Sequence, residues 1–101
     1  MTNEEIIART AIEIGLYSVE EIEEMIMNLE DIPLHTFAFW KAHGFSVKAG
    51  QKHIAEAYLW RFKKGKKKDD VEIVDPEDYP DRYYRTRAYL FHRSQVDYVG
   101  V

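Results

Sequence analysis

The first third of the chain repeats apolar residues at helical spacing, with acidic residues between them. Two capping boxes, each a Ser or Thr followed three residues later by Glu, precede these repeats: Thr2 with Glu5, and Ser18 with Glu21. They predict helices over residues 3–14 and 19–29. A third, short helix is predicted over residues 37–41, because Thr36 can cap it.

Farther along the chain the apolar period changes from helical to two. Residues 53–63 and 82–92 each predict a long strand, and residues 45–48 predict a short extended segment. Both faces of the strand over 53–63 are largely apolar, which is typical of a central strand covered on one side by helices. Two long strands in succession predict an antiparallel hairpin.

These elements predict an α+β fold, in which N-terminal helices pack on a small antiparallel sheet that contains a long β-hairpin. Ser94 and Asp97 form a further capping box, which predicts a short C-terminal helix over residues 95–98. The 101 residues, 46% of them apolar, are expected to form a single domain. Residues 64–81 have no sustained period and include two prolines, which predicts a long flexible loop between the hairpin strands.

The net charge of −4 hides acidic and basic blocks along the chain. Residues 1–34, the acidic helical segment, hold nine acidic residues and one basic residue, and residues 69–81 hold seven acidic residues and no basic one. By contrast, residues 41–68 hold nine basic residues and one acidic, and residues 82–101 hold four basic and one acidic. The acidic block 69–81 is expected to be a solvated loop, or alternatively to fold back on the basic strand as a competitor for phosphate. The average charge therefore does not exclude nucleic acid as a partner.

Several classes of protein are excluded or disfavoured. Without cysteine there is no disulfide framework or thiolate metal site, and no apolar run approaches the roughly 20 residues that span a bilayer. The four histidines lack metal-ligand spacing, and no phosphate loop, nucleophile elbow or catalytic triad order is present. We therefore expect a cytoplasmic protein that is not an enzyme and needs no metal or other cofactor.

Cations and aromatic rings interleave on one face of the second long strand: Tyr83, Arg85, Arg87 and Tyr89. Single-stranded nucleic acid is bound by this combination, because cations neutralise phosphates and rings stack on unpaired bases. Arg61, Lys63 and Lys64 extend the positive charge towards the hairpin tip. The alternative is a solvated strand face without a ligand, since Arg and Tyr also suit an exposed pleated surface.

The other large aromatic side chains are expected to form the core rather than a ligand site: Phe37, Phe39, Trp40, Tyr58, Trp60 and Phe62. A small domain must use its largest side chains for burial. Trp40 and Trp60 in particular are expected to be mostly buried.

Two stretches resemble a known family. Residues 36–52, TFAFWKAHGFSVKAGQK, are similar to the pattern T-F-x-x-W-K-x-x-G-x-x-V-K-K-G-E-K of the ArdC-like single-stranded-DNA-binding domain of plasmid antirestriction proteins. Residues 88–96, AYLFHRSQV, are similar to that family's closing pattern A-Y-x-F-x-x-x-Q-V. The chain departs from the family in its turn, where Ala49 and Gln51 replace Lys and Glu, and in its acidic N-terminal helices. The resemblance makes residues 35–101 an ArdC-like α+β region.

The resemblance implies non-catalytic binding of single-stranded DNA by a small protein of phages or mobile genetic elements. Pattern and resemblance together predict these DNA-binding residues: Lys48, Lys52, Arg61, Lys63, Lys64, Tyr83, Arg85, Arg87 and Tyr89. A second hypothesis is a protein-binding inhibitor of a host defence nuclease, of the antirestriction or anti-CRISPR type. It would use the acidic helical face: Glu20, Glu21, Glu23 and Glu24. A third is a small domain whose charges serve only solubility.

Overall fold

A computed structural model describes residues 1–62 and 83–100 of the chain. The elements, in chain order, are α1 (Asn3–Glu13), α2 (Val19–Met27), β1 (Leu34–Thr36), α3 (Phe37–Ala42), β2 (Phe45–Val47), β3 (Ala55–Phe62), β4 (Tyr83–His92), a 3₁₀ turn (Arg93–Gln95) and β5 (Val96–Tyr98). The predicted α+β class is confirmed, whereas the loop predicted over 64–81 lies outside the described residues. Within the described part of the chain, no helix is both long and apolar enough to cross a bilayer.

Both predicted capping boxes form at the helix starts. The Thr2 hydroxyl accepts a hydrogen bond from the Glu5 backbone N–H at 3.3 Å, and the Thr2 N–H donates to the Glu5 carboxylate at 3.1 Å. The same reciprocal pair joins Ser18 and Glu21. These bonds satisfy N–H groups that have no partner inside the helix, so the local sequence determines where α1 and α2 begin.

The two helices end in the same hydrogen-bonded turn but with different residues. After α1, Gly15 adopts a left-handed conformation with φ 74°, and Leu16 N–H donates to the Ala11 carbonyl. After α2, Leu29 takes this position with φ 56°, and Glu30 N–H donates to the Met25 carbonyl. This is the Schellman motif, in which glycine is usual. A leucine in this conformation costs on the order of 1–2 kcal/mol, because its Cβ crowds the following carbonyl.

The larger sheet is antiparallel with strand order β1-β4-β3. Among the strands of residues 1–62 and 83–100, β4 is therefore the central one and β3 lies at an edge, so the prediction that residues 53–63 form a central strand was wrong. The outer edge of β3 is covered instead by the Asn3 side chain. Its amide accepts from the Trp60 N–H at 2.7 Å and donates to the Trp60 carbonyl at 3.1 Å. This amide mimics one residue of a missing neighbouring strand.

One face of this sheet is covered by the N-terminal helices. Its residues Ala55, Ala57, Leu59 and Leu90 share a buried cluster with Ile6, Ile7 and Ala11 of α1 and Ile22 of α2. Trp40 is also buried, as predicted, and its indole N–H donates to the Phe91 carbonyl at 2.9 Å. Trp60 also agrees with the prediction, since most of its surface is covered: it packs against the buried cluster, and its indole N–H donates to the Met1 carbonyl at 2.8 Å.

The C-terminal segment forms a turn and a strand rather than the helix predicted over 95–98. A 3₁₀ turn ends at Gln95, and its cap is His92 rather than Ser94. Val96–Tyr98 then pairs antiparallel with Phe45–Val47 in a two-stranded sheet. Strand pairing therefore overrides the local helix signal. Gly44 allows the closing approach, because a Cβ at this position would lie 2.9 Å from the Tyr98 ring and 3.2 Å from the Gly100 backbone.

His92 makes the stability of the fold sensitive to mild acid. Its Nδ1 accepts from the Ser94 backbone N–H at 3.1 Å, so in the neutral ring Nε2 carries the proton and donates to the Tyr17 hydroxyl at 2.8 Å. Desolvation by burial lowers the pKa of His92, so the folded state favours the neutral ring. The unfolded chain takes up this proton near the ordinary pKa of about 6.5.

Because the unfolded state then binds more protons, we expect the free energy of unfolding to fall as the pH drops below about 6.5. Urea titrations at about pH 7.5 and pH 5.5 measure this loss of stability. A single histidine can contribute at most about 1.4 kcal/mol for each unit by which its pKa differs between the unfolded and folded states. His92→Asn is the control, since its side-chain oxygen can still cap the turn but does not titrate. An equal loss of stability in both proteins would contradict the assignment to His92.

Candidate nucleic-acid interface

The face of the β3–β4 hairpin opposite the helices gathers arginine and aromatic side chains. In the antiparallel register, Tyr58 lies opposite Arg87, and Trp60 lies opposite Arg85. Tyr89 follows on the same face, because alternate residues of a strand point to the same side. We call this surface the aromatic–arginine face: Tyr58, Trp60, Arg85, Arg87 and Tyr89. The helices α1 and α2 pack on the other side of the sheet, so the tyrosines and arginines of this face are exposed, whereas Trp60 also packs against the buried cluster.

The two arginines are held in place by contacts with β3. The Arg85 guanidinium lies 5.4 Å from the Trp60 ring centroid and donates to the Tyr58 carbonyl from Nε at 3.3 Å and from Nη2 at 3.0 Å. The Arg87 guanidinium lies 5.9 Å from the Tyr58 ring centroid and donates to the Tyr58 hydroxyl at 3.3 Å. These contacts order both cations while leaving each residue exposed. Side-chain hydrogen bonds with Tyr58 and then Tyr89 raise the pKa of Arg87, which therefore stays charged.

The two tyrosines of this face present half of their surface to solvent. Tyr58 is 51% exposed and Tyr89 is 46% exposed. Each ring has a neighbour on one side: the His53 ring centroid lies 4.5 Å from that of Tyr89 at an interplanar angle of 50°, and the Arg87 guanidinium lies over Tyr58. A ring that is anchored on one side and open on the other is suited to stack on a flat ligand. One carboxylate shares the face, because Glu56 lies opposite Tyr89, and His53 is 3.5 Å from it.

A groove of about 750 Å³ runs beside β4 where the short strand β1 ends. Arg87 and Tyr89 line it on the sheet side, and Phe37, which is 53% exposed, lines it at the start of α3. Leu59, Arg61 and Ala88, which point to the other face of the hairpin, line it as well, so the groove is shared between the two sides and is not confined to the aromatic–arginine face.

The structure brings together some of the predicted DNA-binding residues and separates others. Arg85, Arg87 and Tyr89 share the face, and Tyr83 lies half-buried at its far end, opposite Phe62. Arg61 lies opposite Tyr84 at alternate positions of the strands, and so projects from the other face of the sheet. Lys63 and Lys64 lie outside the described residues.

The two predicted lysines of the turn differ in their placement. Lys52 is exposed and directly precedes His53, and its carbonyl accepts from the Gln95 amide at 2.6 Å. This bond fixes the Lys52 backbone near the Tyr89 end of the aromatic–arginine face, because His53 contacts Tyr89. Lys48 directly follows β2: its backbone N–H donates to the Gln95 carbonyl at 2.9 Å, and its ammonium group lies 3.8 Å from the Asp97 carboxylate of β5. It is therefore not part of the face by any contact seen among the described residues.

Tyr58 and Trp60 are the members of the face that the sequence prediction assigned to the core. A signal for their placement was present, since Glu56, Tyr58 and Trp60 occupy alternate positions and a carboxylate among them disfavours burial. Their pairing with the arginines depends on strand register, which one strand alone does not reveal.

No group of three or more His, Asp or Glu side chains in residues 1–62 and 83–100 is arranged to hold a metal ion. Comparisons of the chain with models of known protein families, with curated proteins and with solved structures gave no match. The function is therefore argued from the site itself.

Proposed function

We propose that this protein binds single-stranded DNA on the aromatic–arginine face without catalysing a reaction. The observation that carries the proposal is the register of β3 and β4, which sets two guanidinium groups beside three aromatic rings on one face, where the rings of Tyr58 and Tyr89 are about half exposed. The implied relationship to ArdC-like domains points to the same ligand. We assign the phosphate contacts to Arg85 and Arg87, with Lys52 at one end, and the base contacts to Tyr58 and Tyr89.

The spacing along β4 fits an extended strand of nucleic acid. Arg85 and Arg87 are two residues apart, so their side chains leave the backbone about 6–7 Å from each other on the same face. Tyr89 continues this row by the same interval. Cations that follow a phosphate backbone, with rings beside them for unpaired bases, form the usual platform for binding without sequence preference. Base stacking on each tyrosine would contribute about 1–3 kcal/mol.

The distribution of charge also favours this face for DNA. The acidic residues of α1 belong to a helix that packs on the opposite side of the sheet, so the sheet lies between them and the arginines. Glu56 is the single acidic residue at the described positions of the hairpin that point to this side. The net charge of the chain therefore does not represent the charge that a DNA strand would meet.

We expect fluorescence anisotropy to show binding of a labelled oligo-dT of about 16 nucleotides at low salt. If only the two arginines neutralise phosphates, the plot of log affinity against log salt has a slope of about −1.4, and each further contact steepens it by about 0.7. A duplex of the same length should bind more weakly, since its paired bases cannot stack on the tyrosines. Absence of binding at tens of micromolar protein and low salt would overturn the proposal.

A further inference from the structure

A second surface of the molecule, on the helical side, carries an apolar cleft that the proposed DNA site does not use. The cleft has a volume of about 660 Å³ and lies between the first half of α1 and the end of α2. Ile7, Ala8 and Ile32 are buried and form its floor. Ile26 and Leu29 form its lip, and they are 59% and 94% exposed. Such a cleft is available to apolar side chains of a partner.

Leu29, at the lip of this cleft, has a backbone conformation that destabilises the fold. Leu29 occupies the left-handed position of the Schellman motif, where α1 uses Gly15 in the same turn. Glycine at position 29 would close this turn without crowding, so the leucine side chain adds strain, and at 94% exposure it gains almost nothing from burial. A strained residue that carries an exposed apolar side chain at a cleft indicates that the side chain has a partner.

The charges around the cleft restrict that partner. Its described lining includes four acidic residues, Glu4, Glu5, Glu30 and Asp31, and neither lysine nor arginine. Asp31 already pairs with His35 at 2.6 Å, and Glu5 belongs to the α1 capping box. The cleft therefore presents an apolar floor with a negative rim, which is complementary to an apolar segment that carries cations on its flanks.

We propose that this cleft docks a basic amphipathic helix of a partner protein. Apolar side chains of that helix, spaced by three and four residues, enter between Ile26, Leu29 and Ile32, and its lysines or arginines face Glu4 and Glu30. This is the helix-in-groove mode, in which one apolar face supplies the anchors. The surface differs from the acidic stretch Glu20–Glu24 and lies on the opposite side of the sheet from the aromatic–arginine face. The proposal for this cleft does not depend on the proposal that the protein binds DNA.

The test uses a labelled peptide of leucine and lysine with leucines at helical spacing, and a second peptide of the same composition in which that spacing is scrambled. We expect the amphipathic peptide to bind the intact protein in the micromolar range and the scrambled one at least about tenfold more weakly. Equal binding of the two peptides would show attraction by charge alone and would overturn the proposal.

Leu29→Gly gives the sharpest variant, because it moves stability and binding in opposite directions. We expect peptide affinity to fall about tenfold or more, as the anchor is lost, while the thermal midpoint of unfolding rises by about 4–8 °C as strain is relieved. Met27→Ala removes a side chain that is 83% exposed and does not line the cleft, and should leave affinity unchanged. Undiminished peptide binding by Leu29→Gly would refute the proposal.

Charge is tested with two matched pairs of reversals. Glu4→Lys with Glu30→Lys should weaken peptide binding at least about tenfold, whereas Glu20→Lys with Glu23→Lys, which change the net charge equally away from the cleft, should have less than about a third of that effect. Equal losses of affinity in both pairs would overturn the assignment of peptide binding to the cleft.

A protein dimer that Leu29→Gly dissociates would also overturn the proposal, since a second copy of the chain would then be the occupant of the cleft. Peptide binding that persists when Arg85 and Arg87 are reversed would support it, and its loss there would count against it.

Discussion

Leu90→Ala should destabilise the protein by about 2–5 kcal/mol, a large part of the 5–15 kcal/mol typical of a domain of this size. Leu90 is fully buried near the C-terminal end of the central strand β4, where it lies opposite Ala55 of β3 and Thr36 of β1. Truncation removes apolar contacts and leaves a cavity, which persists because the three paired strands cannot move inwards to fill it. The loss of stability is obtained from the shift of the urea midpoint, with the slope of the free energy of unfolding against urea concentration unchanged.

Leu29→Ala is the matched control for this substitution. It makes the same chemical change at a position that is 94% exposed, so the expected change in the free energy of unfolding is below about 0.5 kcal/mol. If Leu90→Ala cost less than about 1 kcal/mol, the core described for the three-stranded sheet would be wrong.

Local signals in the sequence were sufficient for the helix starts and the long strands. Both capping boxes involve residues three positions apart, so a short stretch of sequence contains all partners of each bond. The period of two over β3 and β4 likewise reports on neighbouring residues. These features were predicted because the interactions that form them are short-range.

The features that sequence analysis missed depend on distant partners. β1, of three residues, has no recognisable pattern of its own, and it becomes a strand because Leu34–Thr36 pairs with Leu90–His92. The edge of β3 is covered by Asn3, 57 positions away. The capping box predicted at Ser94 does not form, because His92 caps the turn instead. Its Nδ1 accepts from the Ser94 N–H, its Nε2 is hydrogen-bonded to the Tyr17 hydroxyl, and its backbone N–H donates to the Gln95 side chain.

The candidate site divides in the same way. Arg85, Arg87 and Tyr89 lie on a single strand, so their common face followed from the period alone. Tyr58 and Trp60 join them only through the register of the hairpin, and Arg61, a predicted DNA-binding residue, is directed by the pleat to the other side. Burial of the large aromatic residues was the reasonable expectation for a small domain, and it holds for Trp60, which packs against the buried cluster, but not for Tyr58, which is about half exposed.

Reversing both arginines of the aromatic–arginine face, Arg85→Glu with Arg87→Glu, should abolish measurable DNA binding. Each guanidinium–phosphate contact is a charged hydrogen bond worth about 1.5–3 kcal/mol, so loss of two predicts more than about a hundredfold weaker affinity even before repulsion is added. Any binding that remains should depend less steeply on salt, with a slope about 1.4 shallower. Because both side chains are exposed, the urea midpoint should change little.

The control for this reversal must carry the same change in net charge. Arg9→Glu with Lys41→Glu fits, because both residues are exposed, on α1 and α3, and neither belongs to the aromatic–arginine face. If DNA affinity followed the net charge of the chain, the control would lose as much affinity as the paired reversal, and the face would have no special role.

The variant Arg85→Lys with Arg87→Lys separates charge from geometry. Lysine keeps the positive charge but has neither the planar guanidinium fork nor its stacking on Trp60 and Tyr58. We expect this variant to lose affinity about tenfold while its salt dependence stays near that of the unmodified protein. That combination would assign the phosphate contacts to charge and the remaining tenfold to the ordering of the guanidinium groups by the rings of β3.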